Sequence, residues 1–290
     1  MELDIPSIIR ETLLKRAREH ESQYFMPEPG VHHPSALWHC MRKQYLDALA
    51  ARTLGSPDEL NGYAALGSLI HEALADVLAE WVKNNGGVEV ESEVPLRIVV
   101  PSAGIIFAAY ADDIILLRRD GSRMILEIKT VNRIPDEPRK EHIAQLNVYL
   151  HAYPTATGIL LYVSRKTFEM HAFEVRRDEG LFEATVARAG EVERALRDGR
   201  VPPPEAAEYP DRSWECRYCR WARICGELRT GAPLGEKEFR RLVDAPDEER
   251  DDVRYARDLV RKARQRAPEA VPVTSDAHLM WDTELGRSTC

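Results

Sequence analysis

The sequence predicts a mixed α/β fold of the α+β kind, with a central mixed sheet flanked by helices. Three observations carry this reading. Long stretches with helical spacing come first. Val88–Val100 then alternates apolar and polar residues, and two runs rich in Ile and Leu are joined by Asp120-Gly121, a strong hairpin signal. The resulting order is helices, three strands, a helix, two strands and more helices, which a sheet covered by helices satisfies.

The first 30 residues read as helical up to a break at Pro27, Pro29 and Gly30. Ser35–Ala51 follows as a helix, with Ser35 as a candidate N-cap behind Pro34. Gly62–Asn84 is a second long helix, stopped by Asn84-Asn85-Gly86-Gly87. Val88–Val100, Ile105–Leu117 and Arg123–Thr130 read as strands, and Arg139–Tyr153 returns to helical spacing. Thr157–Ser164 and Phe168–Val175 are two further strands. Gly180–Arg197 is helical, with Pro202-Pro203-Pro204 as a rigid spacer beyond it. Pro246–Arg266 carries acids at its start and bases towards its end, an order that suits the dipole of a solvated helix. The last 20 residues read as a tail. The expected division is a helical segment over residues 1–33, a core over 34–228 and an extension over 229–290.

With 290 residues, 44% hydrophobic and 30% charged, the chain can bury a real core, so disorder, collagen and coiled coil are excluded as the main architecture. No stretch reaches the roughly 18 uncharged apolar residues of a membrane span, and the charged amino terminus is not signal-like. A cytoplasmic protein without membrane association is expected. The balance of 40 basic against 48 acidic residues gives a net charge of −8, which speaks against indiscriminate nucleic-acid binding but permits a local basic groove.

The first constellation lies in the hairpin. With Asp120-Gly121 as the two central turn residues, Asp112 faces Lys129, and Glu127 lies diagonally on the same face. Asp113 then points to the other face, opposite Ile128. A loop one residue longer or shorter would exchange Asp112 and Asp113. Two carboxylates and an ammonium on an otherwise apolar hairpin need a partner or a purpose. Carboxylate oxygens with a phosphate oxygen are what Mg²⁺ or Mn²⁺ prefers. Taken alone, the three residues are an ordinary cross-strand salt bridge.

The wider pattern changes that weighting. Asp112, then Glu127-Ile128-Lys129, then Gln145 and Tyr149 in a Gln-x-x-x-Tyr pattern, with an upstream Gly67-x-x-x-His71, resembles the RecB-like branch of the PD-(D/E)XK nucleases. Ala109 stands where a glycine is frequent in that family. The resemblance implies a restriction-endonuclease-like sheet in which His71, Asp112, Glu127 and the Ile128 carbonyl hold a divalent metal. It further implies that Lys129 is catalytic and that Gln145 and Tyr149 shape the site or hold DNA.

The second constellation is Cys216-x2-Cys219-x5-Cys225, for which Cys40 is the one plausible fourth thiol; Cys290 falls outside it. Four thiolates suit either Zn²⁺ or an iron–sulfur cluster. RecB-like nucleases with an iron–sulfur staple, including the CRISPR-associated RecB-like exonucleases, carry one cysteine before the core and three after it, spaced as here. This resemblance spans Pro34 to Cys225 and implies a structural [4Fe–4S] cluster. Arg42, Lys43, Arg217, Arg220 and Arg223, with Tyr218 and Trp221, would gather near it, either as a strip for single-stranded DNA or as the solvated surface of a small motif.

The expected function is a metal-dependent DNA exonuclease acting on single strands or duplex ends, with possible protein partners in a DNA-processing complex. The rivals are a non-catalytic DNA-binding or adaptor protein of the same fold and a zinc-stapled structural protein.

Overall fold

The computed structural model describes residues 28–54 and 62–244, together with Lys15. The helices expected over the first residues and over Pro246–Arg266, and Cys290, lie outside the described residues. In chain order the elements are β1 (Val31–His32), α1 (Pro34–Leu37), α2 (Met41–Leu54) and α3 (Gly62–Asn84). Next come β2 (Val88–Val100), β3 (Ile105–Leu117), β4 (Ser122–Val131), α4 (Lys140–Ala152), β5 (Thr157–Ser164) and β6 (Met170–Val175). They are followed by α5 (Glu179–Asp198), α6 (Glu205–Glu208), α7 (Ala222–Glu227) and α8 (Glu236–Asp244). The described residues form two compact units: one from 28–35 and 62–186, the other from 36–54 and 187–244.

The first unit is built on a six-stranded mixed sheet in the order β1-β3-β4-β5-β6, with β2 paired to β3 along its length. The β4–β5 pairing is parallel and requires a crossover, which α4 provides. Helix α3 presents Ile70, Leu74 and Leu78, one stripe at helical spacing, to Leu126, Ile128 and Val163 of the sheet. Helix α4 approaches β5 so closely that a Cβ on Gly158 would lie 2.9 Å from Leu146 Cδ2 and 3.0 Å from the Val175 carbonyl oxygen. Gly158→Ala is therefore expected to destabilise the fold by about 1–3 kcal/mol in urea unfolding, because one of the two obstacles is backbone. An unchanged midpoint would show that the strand can shift. No described helix is long and apolar enough to cross a membrane.

The second unit has its own core. Tyr45, Leu46 and Leu49 of α2 pack with Trp221, Ile224, and Phe239 and Leu242 of α8. The Trp221 and Phe239 rings meet edge to face at 5.6 Å.

Strands β2, β3 and β5 and helix α3 have the bounds expected from the sequence. Three expectations are corrected. The hairpin loop is not the two-residue Asp120-Gly121 turn: the last pair is Leu117 with Ser122, which leaves Arg118–Gly121 as the loop. The Asp120 carboxylate accepts the Ser122 N–H and hydroxyl, and Gly121 takes a left-handed φ of 70°, so the loop closes two residues wider. Asp113 consequently pairs with Leu126 rather than Ile128. The displacement is an even number of residues, so Asp112 keeps the face of Glu127 and Lys129.

The helix expected over Ser35–Ala51 is broken at Trp38–Cys40, and α1 starts at Pro34, so Ser35 is no N-cap. The freed backbone is met by distant side chains. Gln44 Nε2 donates to the Leu37 and His39 carbonyls, while Glu215 accepts the Cys40 N–H at 2.8 Å and Glu205 that of Met41 at 3.0 Å. The third correction is at β6, which begins at Met170. Phe168 lies in the preceding turn at φ 60°, its N–H bonded to the Ser164 carbonyl. The short strand β1 was not legible in the sequence.

Candidate functional site

The β3–β4 ladder ends at the Asp113–Leu126 pair, and one residue further on the two strands part. The Ile128 N–H has no strand carbonyl to meet there, and the Asp112 carboxylate reaches across to accept it at 2.5 Å. The other oxygen of Asp112 lies 3.2 Å from Nδ1 of His71, which α3 carries to the same point. Gly67, one turn earlier, would place a Cβ 3.4 Å from Thr130 Oγ1, so α3 can lie against β4 at that point with room for little more than a methyl.

Glu127 follows on β4 and is 2% exposed. Its Oε1 accepts from Lys129 Nζ and from Gln145 Nε2, both at 2.6 Å, and Gln145 in turn donates to Tyr149 Oη at 2.7 Å. Gln145 and Tyr149 are four apart on α4 and share a face, which fixes the carboxylate from below. His71, Asp112, Glu127, Lys129, Gln145 and Tyr149 line one open cavity of about 880 Å³. The structure thus gathers every residue expected in this site, with Ile128 among the lining residues and its side chain buried in the sheet core.

The electrostatics show two acids pressed together. Burial first, and then the neighbouring Asp112 charge, push the Glu127 carboxyl up to about 7. Asp112 is half-buried, but the hydrogen bond and charge of His71 outweigh its desolvation and hold it below the usual carboxylate range. His71 is raised against its own burial by Asp112, and Lys129 is raised by Glu127 and Asp112. Glu127 Oε2 is buried and, among the described residues, has no hydrogen-bond partner. A buried carboxylate oxygen without a donor, beside a second carboxylate and an imidazole, is the donor set a small divalent cation satisfies. Among the described residues no three His, Cys, Asp or Glu side chains are disposed as ligands of a single ion. Here the histidine bonds the aspartate and the lysine bonds the glutamate.

Two neighbours complete the wall: Asp113, which the sequence placed on the opposite face, and Glu93, which sequence reasoning missed. Asp113 is buried on the cavity wall, accepts from Ser92 Oγ at 2.5 Å and is pushed up by burial to about 6. Glu93, one residue along β2 from Ser92, stands at φ 52°, in the left-handed region, and lines the same cavity. Neither belongs to a spaced motif.

Within the second unit, Cys40, Cys216, Cys219 and Cys225 are free thiols lining one small cavity of about 20 Å³. Burial, followed by the other three cysteines, pushes the Cys216 thiol far up. Burial also pushes Cys219 up to about 12, opposed by the Trp221 N–H and by Lys43. Four thiols around one cavity, two of them buried and none in a disulfide, are a donor set for metal rather than an apolar packing group.

Carboxylates brace the Cys40 backbone. Glu215 is held at about 2 against its own burial by His39 and Arg212, and Glu205 pairs with Arg188 and Arg212. The contacts of these groups with the Cys40 segment span more than 100 residues of sequence, so no local pattern announced them.

The expected strip of DNA-binding residues is largely spent inside this unit. Arg42 is 3% exposed, and Trp221 is buried with its Nε1–H bonded to Asp47; for these two the expectation is corrected. Lys43 and Arg220 both pair with Asp47, Arg220 covers the Trp221 ring, and Arg223 donates to the Leu242 carbonyl. Tyr218 is 47% exposed, and Arg217 lies beside it at the end of the 3₁₀ segment Pro210–Arg217.

Comparison with known proteins gives concordant matches. The family model for the PD-(D/E)XK nuclease superfamily matches residues 22–226. The CRISPR-associated exonuclease Cas4 of Saccharolobus solfataricus is 29% identical over 223 residues, covering 75% of this chain and 98% of that protein. The crystal structure of SSO0001 is similar with a TM-score of 0.52 at 28% identity, covering 77% of this chain and 98% of the other.

Proposed function

The chain belongs to the PD-(D/E)XK nuclease superfamily, and from that premise we propose that it is a divalent-metal-dependent deoxyribonuclease, an exonuclease of single-stranded DNA or duplex ends. The observation that carries the proposal is the meeting of His71, Asp112, Glu127 and Lys129 in one cavity, with a buried Glu127 oxygen left without a donor. The 29% identical relative is named a CRISPR-associated exonuclease, which supports the same activity and setting here. Its partners would be DNA and the proteins of a DNA-processing complex.

In this reading His71, Asp112, Glu127 and the Ile128 carbonyl would hold Mg²⁺ or Mn²⁺. Such an ion supplies a water of lowered pKa and neutralises charge on the phosphate. The protein's own groups do the rest. Lys129, anchored on Glu127 Oε1, can swing its ammonium onto a phosphate oxygen or the attacking water. Gln145, itself bonded to Tyr149, holds Glu127 Oε1 and so restricts the carboxylate to one rotamer. A water oxygen bonds to phosphorus as one ester P–O bond breaks, and the leaving oxygen departs as an alcohol carrying a proton that came from that water.

We assign Cys40, Cys216, Cys219 and Cys225 to a [4Fe–4S] cluster of structural role. Zinc is the second reading, favoured by nothing more than the same four thiols. A cluster engages one iron per thiolate, and the order of one cysteine before the core and three after it resembles that of the iron–sulfur RecB-like nucleases. Free thiols around such a group suit a reducing, cytoplasmic setting.

The test is a cleavage assay on end-labelled single- and double-stranded DNA, linear and circular. Linear substrates should shorten from an end with Mg²⁺ or Mn²⁺, circles should survive, and EDTA should stop the reaction. Cleavage that ignores EDTA, or none with either metal, would refute the assignment.

A further inference from the structure

Arg42 stands two residues beyond Cys40 on α2 and is all but sealed from solvent. Among the described residues its guanidinium meets no carboxylate. Nε donates to the Pro202 carbonyl at 2.8 Å, and Nη2 donates to Thr230 Oγ1 at 2.9 Å. Nη1 is shared between the carbonyls of Cys225 at 2.9 Å and Leu228 at 3.1 Å, and it also points at Cys225 Sγ at 3.6 Å. Every acceptor is neutral as long as Cys225 is a thiol.

A buried cation without a counter-charge is costly, and neutral acceptors offset only part of that cost. Beside those neutral acceptors lies the Cys225 sulfur, at 3.6 Å. The four carbonyl and hydroxyl contacts fix the planar fork, so the N–H aimed at sulfur is set by geometry before any metal arrives. They also join α2, which follows Cys40, to the segment that carries Cys225, the last of the four thiols.

We propose that Arg42 is the positioning cation of the four-cysteine site, donating an N–H to the Cys225 sulfur and supplying the buried positive charge that a metal-bound thiolate needs. The proposal rests on the reading that these thiols hold a metal group. It assigns Arg42 no direct contact with metal and no contact with DNA.

The test uses the full chain purified anaerobically, as wild type, Arg42→Gln and Arg42→Lys. Bound iron and zinc are quantified, and metal transfer to a competing chelator is timed. Arg42→Gln should release metal about 10–100-fold faster than wild type, the usual scale for loss of a group that supports a ligand. Arg42→Lys keeps the charge but not the fork and should fall between them.

Where the metal is iron, the reduction potential of Arg42→Gln should be more negative, because the reduced cluster carries more negative charge. A merely structural role would lower the unfolding midpoint and leave that potential unmoved. Should Arg42→Gln accumulate unfolded, Arg42→Lys decides alone. Wild-type release rates and potential in the variants would overturn the role of Arg42. Wild-type protein holding neither iron nor zinc would instead bring down the metal reading on which it rests.

Discussion

Glu127→Gln is expected to abolish cleavage, with a loss of at least about 10²–10⁴-fold, while the protein stays folded. Glutamine keeps the volume and an Oε1 acceptor for Lys129 and Gln145, so the network seen on Oε1 survives. What disappears is one negative charge and the donor-free second oxygen. Burial, and then the Asp112 charge, drives the Glu127 carboxyl up to about 7, so removing the charge relieves a cost of folding. Unfolding measured in EDTA should therefore show a midpoint no lower than wild type, in the pattern of a site that gives up stability for function. Lys129→Ala should lose activity comparably. Unimpaired cleavage by both variants would remove this cavity from the chemistry.

Cys216→Ala is expected to empty the four-cysteine site and destabilise the protein by about 3–5 kcal/mol, a fraction of the ~10–16 kcal/mol with which structural metal sites bind. Cys216 is buried and packs with Cys40 and Ala206, and the other three thiols depend on the same cavity. Metal content should drop and the visible absorbance of a cluster should vanish. Proteolysis should then begin within residues 36–54 and 187–244, the described parts of the second unit. Cys290→Ser, which leaves the four thiols intact, should retain full metal content. Undiminished metal in both Cys216→Ala and Cys40→Ala would place the metal elsewhere.

The two sites differ in how much the sequence disclosed. The alternation of β2 and the apolar runs of β3 and β5 are local signals, because a strand's two faces have different surroundings every second residue. Asp112, Glu127 and Lys129 were legible because hairpin pairing converts sequence distance into proximity, and an even error in loop length leaves the faces unchanged. The break at Trp38–Cys40 was not legible. Its backbone partners, Glu205 and Glu215, lie more than 160 residues away, and nothing in the intervening chain marks them as caps.

The basic residues beside the cysteines illustrate the same limit. Composition and spacing put positive charge and aromatic rings near the thiols, but not the direction in which any side chain turns. Asp47 draws in Lys43, Arg220 and Trp221. The carbonyls of Pro202, Cys225 and Leu228 draw in Arg42.

Residue types, their spacing and the alternation of faces were enough to establish a mixed sheet, two chemical constellations and a nuclease resemblance, since each depends on neighbours along the chain. Tertiary structure alone decided which carboxylate oxygen lacks a donor, where α2 begins, and that Arg42 faces sulfur instead of solvent. Those outcomes depend on competition for hydrogen bonds and charge among groups that meet only after folding, where burial makes an unpaired donor or acceptor costly.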